Sequence, residues 1–162
     1  MIFKFSQYII DVDIEKTKQF YNSQRFISEG CNCSGCCNFE KVADYLAPEI
    51  TSFFNNLGIE VKKITEIYVN CTNADNTLYY AGFTHVCGEI ISGESAWVTN
   101  SSNLLYLDED KMFNVTDDFK VHFQNECHLL KEGFPSPAIQ LEIIADLPWV
   151  LNEVNNYPKD RS

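Results

Sequence analysis

The sequence predicts a single α+β domain spanning residues 1–162, with a mainly antiparallel sheet and helices packed on one of its faces. Three observations lead there. Helix-period patterns concentrate in the first third of the chain and strand alternation in the rest, and elements segregated in this way form α+β layers. A chain of 162 residues that is 45% hydrophobic and 14% aromatic has the composition of a globule. At that size folding buries roughly 70% of the surface the unfolded chain exposes, enough for one self-sufficient core. No internal repeat, low-complexity tract or Gly/Ser linker divides the chain.

Residues 2–12 (IFKFSQYIIDV) are rich in β-branched and aromatic side chains and read as one strand. Asp13 can then cap a short helix that places Ile14, Thr17, Phe20 and Tyr21 on one side and ends near Asn22 or Ser23. Beyond the cysteines, Phe39, Val42, Ala43 and Leu46 share a helical face with Asn38 as its cap. Pro48 breaks that helix and starts another over 48–57, with Ile50, Phe53, Phe54 and Leu57 inward and Gly58 as the terminating left-handed residue. The period then changes to two. Strands fit 64–71 and 77–91, joined by Asn73, Ala74, Asp75 and Asn76 as a hairpin turn. Further strands fit 104–107, 119–130 and 138–145, and Asp146 with Pro148 marks a short terminal helix from Leu147.

Charge narrows the function classes. Twelve Lys and Arg against 23 Asp and Glu give a formal charge of −11, opposite to what a nucleic-acid backbone or an anionic membrane surface selects. The opening residues MIFKFSQYII lack the uninterrupted apolar run of a signal peptide, and no apolar run approaches the ~20 residues of a bilayer span. A cytoplasmic location is the expectation. Seven cysteines, an odd number without an export signal, are then expected as thiols.

Four of them, Cys31, Cys33, Cys36 and Cys37, lie in GCNCSGCCNF, a CxCxxC pattern with one adjacent thiol. Thiolates are the soft donors Zn²⁺ prefers, at about 2.3 Å in tetrahedral sites. CxxC and CxC on one loop supply three ligands. Cys37 is covalently next to Cys36, so the fourth ligand stays open between it and the more distant His85, Cys87, Cys127 and His128. The same thiols lie before a helix start, where a dipole favours thiolate, so a Cys33–Cys36 redox pair is the competing reading. Cys71 alone reads as core.

A second constellation is His122, Gln124, Glu126 and His128, which share one face of the strand expected over 119–130. They are either a solvent face or a metal or acid/base site. His85 reads as a core or interface histidine, and Glu89, Gly93, Glu94 and Trp97 as a pocket wall or a solvated loop. Ser/His/Asp spacing, a phosphate loop and HExxH are absent from the sequence.

Two resemblances add to this. The run DVDIEKTKQFYN (11–22) resembles, over about a dozen residues, the opening strand-to-helix segment of the glyoxalase/bleomycin-resistance (vicinal oxygen chelate) superfamily, whose βαβββ modules carry His or Glu metal ligands. Here the position after the first helix holds the cysteine loop instead. Over most of its length, through DIEKTKQFY, GCNCSGCCNF, LAPEITSFFNNLGIE, YYAGFTHVCG and LPWVL, the chain resembles a group of small bacterial proteins with a GCxCxGCxNF-type loop. That resemblance implies a shared fold and carries no established activity; its pattern leaves position 37 open. The sequence therefore points to a binding or interaction protein with a structural zinc site at Cys31, Cys33 and Cys36. The alternatives are a small metal- or thiol-dependent enzyme, using His122, Glu126 and His128 or the loop, and an acidic binder of a basic protein partner, as toxin-neutralising immunity proteins are. Oligomeric state is not readable from the sequence.

Overall fold

The computed structural model describes residues 1–160. Its strands are β1 (Ile2–Phe5), β2 (Tyr8–Val12), β3 (Glu66–Thr72), β4 (Leu78–Ser92), β5 (Trp97–Thr99), β6 (Leu105–Leu107), β7 (Phe113–Thr116), β8 (Phe119–Gln124) and β9 (Ala138–Leu147). The helices are α1 (Ile14–Asn22), α2 (Ile27–Gly30), α3 (Ser34–Val42) and α4 (Pro48–Asn56). Seven strands form one antiparallel sheet in the order β1-β2-β4-β9-β8-β7, with β3 also pairing β4. The long β4 makes this possible. Its first half pairs β3 along the edge on which its second half pairs β2, while its other edge runs the length of β9.

Parity decides the two faces of the sheet. Leu78, Tyr80, Thr84 and Val86 of β4 share a face with Ile139, Leu141 and Ile143 of β9 and with Phe119, Val121 and Phe123 of β8, all buried. The helices cover this face: Phe39 of α3 meets Tyr80 edge-on at 5.5 Å, Phe54 of α4 meets Phe119 at 5.8 Å, and the Tyr21 hydroxyl of α1 lies 2.5 Å from the Thr84 hydroxyl. The α+β fold with helices on one face is thus the observed one.

Several elements differ from expectation, each for a physical reason. Residues 2–12 form a hairpin, not one strand, with Ser6 turning at φ 53°. In a single strand Phe3 and Phe5 would face away from Tyr8, Ile10 and Val12; folding back sets Phe3 beside Ile10 and Phe5 beside Tyr8 on the core side. The strand expected to reach residue 130 stops at Gln124. Continuing the β8–β9 register would set Cys127 and Leu129 opposite Pro137 and Pro135, which have no N–H to give a ladder. The strand expected over 104–107 is β6, whereas its partner β5 and the edge strand β7 carry too few residues for an alternation signal.

Among the described residues no helix follows Leu147. The Asn38 amide donates to the Pro148 carbonyl (3.0 Å) and its oxygen accepts from Val150 N–H (2.7 Å), holding the chain extended. Further on, Thr72 N–H donates to the Pro158 carbonyl at 2.8 Å. Residues 148–160 are therefore a strap across α3 and β3. Gly58, at φ +79°, ends the α4 region as expected; a Cβ there would lie 2.6 Å from the Ile14 carbonyl oxygen. No described helix is long and apolar enough to cross a membrane.

Candidate functional site

The cysteine loop is an extended entry into α3. That helix begins at Ser34, inside the motif, four residues before the expected cap at Asn38. Cys33 is the N-cap: its sulfur accepts from Cys36 N–H at 3.5 Å and its carbonyl from Cys37 N–H at 3.0 Å. Asn38 lies in the helix interior, fully buried, spending its amide on Tyr80 and the terminal strap. Gly35 serves close approach: its N–H donates to the Tyr157 hydroxyl at 3.0 Å, and a Cβ there would sit 2.6 Å from that oxygen.

This entry brings the sulfurs of Cys31, Cys33 and Cys36 within 4.8 Å of one another, with Cys31 and Cys33 exposed and Cys36 buried. The buried Cys36 thiol points to the Ile67 carbonyl of β3 at 3.7 Å. Cys31 and Cys36 border a cleft of about 190 Å³ that Arg25, Glu66 and Lys131 also line. The thiols differ electrostatically. Partial burial works against ionisation of Cys33, but hydrogen bonds from Cys36 N–H, the Cys31 and Cys36 thiols and Gly35 N–H outweigh it and hold Cys33 below its ordinary value. Burial pushes the Cys36 thiol up, and the hydrogen bonds and charges of Cys33 and Cys31 push it further. A cation at the triad reverses that penalty, because it stabilises every thiolate at once.

The other candidate ligands lie elsewhere. Cys37 turns its sulfur to the Asn32 carbonyl, 3.6 Å away. His85 is buried, its Nε2 3.3 Å from Gln140 and its Nδ1 3.3 Å from Thr65, and burial holds its pKa below the ordinary value. Cys87 is buried on β4, where its N–H donates to Thr17. His128 is exposed past the end of β8, as is Glu126, and Cys127 is half-buried there with its sulfur 3.6 Å from the Ala138 carbonyl. Cys71 is half-buried where a bulge interrupts β3, not in the core. Among the described residues, the triad of sulfurs is the one cluster of three such ligand groups.

The shared strand face of His122, Glu126 and His128 does not form, because β8 ends at Gln124. Neither is the remaining part a solvent face. His122 is fully buried, and β8–β9 register sets it opposite Glu142 and Gln124 opposite Gln140. The Glu142 carboxylate collects four donors: Trp97 Nε1 (2.8 Å) and His122 Nε2 (2.9 Å) on one oxygen, Gln124 Nε2 (2.6 Å) and Gln140 Nε2 (2.9 Å) on the other. Gln140 accepts in turn from His128 N–H at 2.7 Å. Burial raises the Glu142 pKa, but the hydrogen bond and charge of His122, with the bonds from Trp97 and Gln140, win and leave it below the ordinary carboxylate value. Sequence reasoning missed this array. Its signal was two polar alternations, His122/Gln124 and Gln140/Glu142, that only strand register joins.

Comparison of the chain with protein-family models, with curated proteins and with solved structures gives no match.

Proposed function

We propose that the chain is a binding or interaction protein in which Cys31, Cys33 and Cys36 hold one zinc ion in a largely structural role. The observation that carries this reading is the convergence of three sulfurs within 4.8 Å at a helix start. Tetrahedral Zn–S bonds of ~2.3 Å require sulfurs roughly 3.8 Å apart. Rotamer changes at the exposed Cys31 and Cys33 close the remaining gap. Three thiolates leave a fourth position for water or for Glu66, which borders the same cleft. The ion would fasten the loop to β3 through Cys36, and the same three cysteines are those that the GCxCxGCxNF-type loop specifies.

The test is elemental analysis of protein purified under reducing conditions without chelator, with thiol titration on the same sample. About one zinc per chain is expected, with three thiols shielded until a chelator is added. No metal, and thiol reactivity indifferent to chelator, overturns the reading.

A second reading rests on the asymmetry between the exposed Cys33, held toward thiolate, and the buried Cys36 three residues on. Cys33 would attack a low-molecular-weight disulfide, forming a mixed disulfide and releasing one thiol. Cys36 would then displace the second thiol, so the pair loses two protons and two electrons and the disulfide reagent becomes two thiols. A Cys33–Cys36 bond in mass spectra after glutathione disulfide treatment supports it; seven thiols surviving that treatment reject it.

A further inference from the structure

The face of the sheet opposite the helices carries a cleft of about 880 Å³, walled on one side by the β5–β6 hairpin. That volume lies in the range of pockets that take small organic ligands, about 300–1,000 Å³. The Glu142 array is part of its floor. From this arrangement we infer that the cleft is a binding site for a small organic cation, an ammonium group on an apolar body.

Three properties select that chemistry. The lining includes two carboxylates, Glu126 and Glu142, and neither Lys nor Arg. His128 is the one imidazole in the lining, so an organic anion would meet like charge and no permanent cation. Four rings, Tyr68, Tyr79, Phe83 and Trp97, also line the cleft; aromatic faces attract cations and pack apolar bodies. The chain's charge of −11 further raises the local concentration of cations.

The array itself is the third property. Amide and indole donors from Trp97, Gln124 and Gln140, together with His122 Nε2, fix the Glu142 carboxylate, and His122 is the one titratable group among the four. Packing the same sheet face with apolar residues is often as stable as, or more stable than, burying charge. A rigid carboxylate below a cleft is instead what a site needs when it must hold a cation without reorganising. Metal ligation is a poorer fit, since it needs a free lone pair and hydrogen-bond donors already occupy both oxygens of Glu142, whereas an ammonium group is held by the field of the carboxylate and by the ring faces; the described residues also bring no third ligand group near Glu142. The site shares no residue with the cysteine triad, so the two readings fail independently.

The experiment uses the reduced full chain and follows the two tryptophan indole N–H resonances by NMR. Trp97 lies in the cleft, whereas Trp149 donates to the Glu153 carbonyl outside it and serves as the internal reference. Three isosteric probes are titrated: 2-phenylethylammonium, 2-phenylethanol and phenylacetate. A saturable shift of the Trp97 signal alone is expected with the ammonium probe, with the alcohol at least tenfold weaker and phenylacetate inert. Glu142→Gln should weaken the ammonium probe tenfold or more. The exposed Glu126→Gln, which leaves the array intact, should weaken it two- to fivefold. Equal binding of alcohol and ammonium, preference for phenylacetate, or no Trp97 shift with any probe overturns the inference, and the wild-type probe series decides between these outcomes even if Glu142→Gln fails to fold.

Discussion

The cysteine triad and the Glu142 array are both clusters of polar side chains on one small domain, yet they are assembled in opposite ways. The triad takes its sulfurs from six consecutive residues at the start of one helix. The array draws Trp97, His122, Gln124, Gln140 and Glu142 from β5, β8 and β9, and exists only while those strands hold register. A local cluster can be emptied or rebuilt without touching the sheet. One assembled by register is part of what holds the sheet together, so damage to it should register as stability first.

The largest expected effect tests that difference directly. Glu142→Ala removes the acceptor of four donors and leaves His122, with one ring nitrogen already lacking a partner among the described residues, wholly unsatisfied in the sheet. Breaking a buried charge-assisted cluster from one side costs about 3–5 kcal/mol. Denaturant unfolding should show a loss of that size, with any zinc uptake by the triad the same as in wild type. A loss below about 1 kcal/mol would mean that water replaces the carboxylate and that the array is no more structural than the loop.

Asn38 sharpens the comparison, because it lies in the helix that carries the triad but acts over long range. It holds Tyr80 of β4 and both Pro148 and Val150 of the strap. Asn38→Ala should cost about 2–3 kcal/mol, the penalty for a fully buried amide whose partners are left unpaired. Hydrogen exchange at the Val150 amide should accelerate ahead of the sheet. If it does not, the strap is held elsewhere, through Thr72 and Tyr157.

Acid should divide the molecule in the same way. Burial holds His85 below its ordinary 6.5, so the unfolded chain takes up a proton there first as the pH falls. Glu142 is held below its ordinary 4.5, so the unfolded chain again binds the proton more readily. Both contributions are complete above those ordinary values and are lost as the pH falls through the lower native ones. Thermal unfolding should therefore weaken below pH 6.5 and more steeply below pH 4.5. Glu142→Gln should make the second limb shallower, since Asp13 and Asp75 are also held below their ordinary values and keep part of it, and should leave the first.

What was legible follows the same line between local and long-range causes. The helices at 14–22 and 48–56 carry their own periodicity and their own start and stop signals, Asp13 as N-cap of the first and Pro48 at the first position of the second with Gly58 beyond its end, and β3, β4 and β9 carry their alternation. The three clustered cysteines are likewise visible as a spacing. The start of α3 was not, because cysteine is an unusual N-cap and Asn38 looks like a good one until Tyr80 and Pro148 are seen to claim it. The extended form of residues 148–160 depends on Asn38 and Thr72, more than 70 positions away in sequence. His122 and Glu142 each looked like an ordinary outward residue of a half-buried strand. Register and a covering hairpin turned that face into an interior.

The smallest expected change in stability separates the triad from everything around it. Cys33→Ser removes one sulfur of the proposed zinc site at the position that caps α3. Serine is a better N-cap than cysteine, since its oxygen accepts from the N2 or N3 amide more strongly than a sulfur does at 3.5 Å. In metal-free protein the substitution should therefore leave stability within about 0.5 kcal/mol of wild type, or raise it slightly. With zinc present the two must part. A ligand that binds only the folded chain at 100 times its dissociation constant adds about 2.7 kcal/mol, so wild type should gain several degrees in melting temperature while Cys33→Ser gains little. Ionisation of all three thiols accompanies binding, and the zinc-dependent gain should shrink as the pH is lowered. If both proteins respond alike to zinc, the ion is held by other groups, and the triad is a helix cap that happens to be built from thiols.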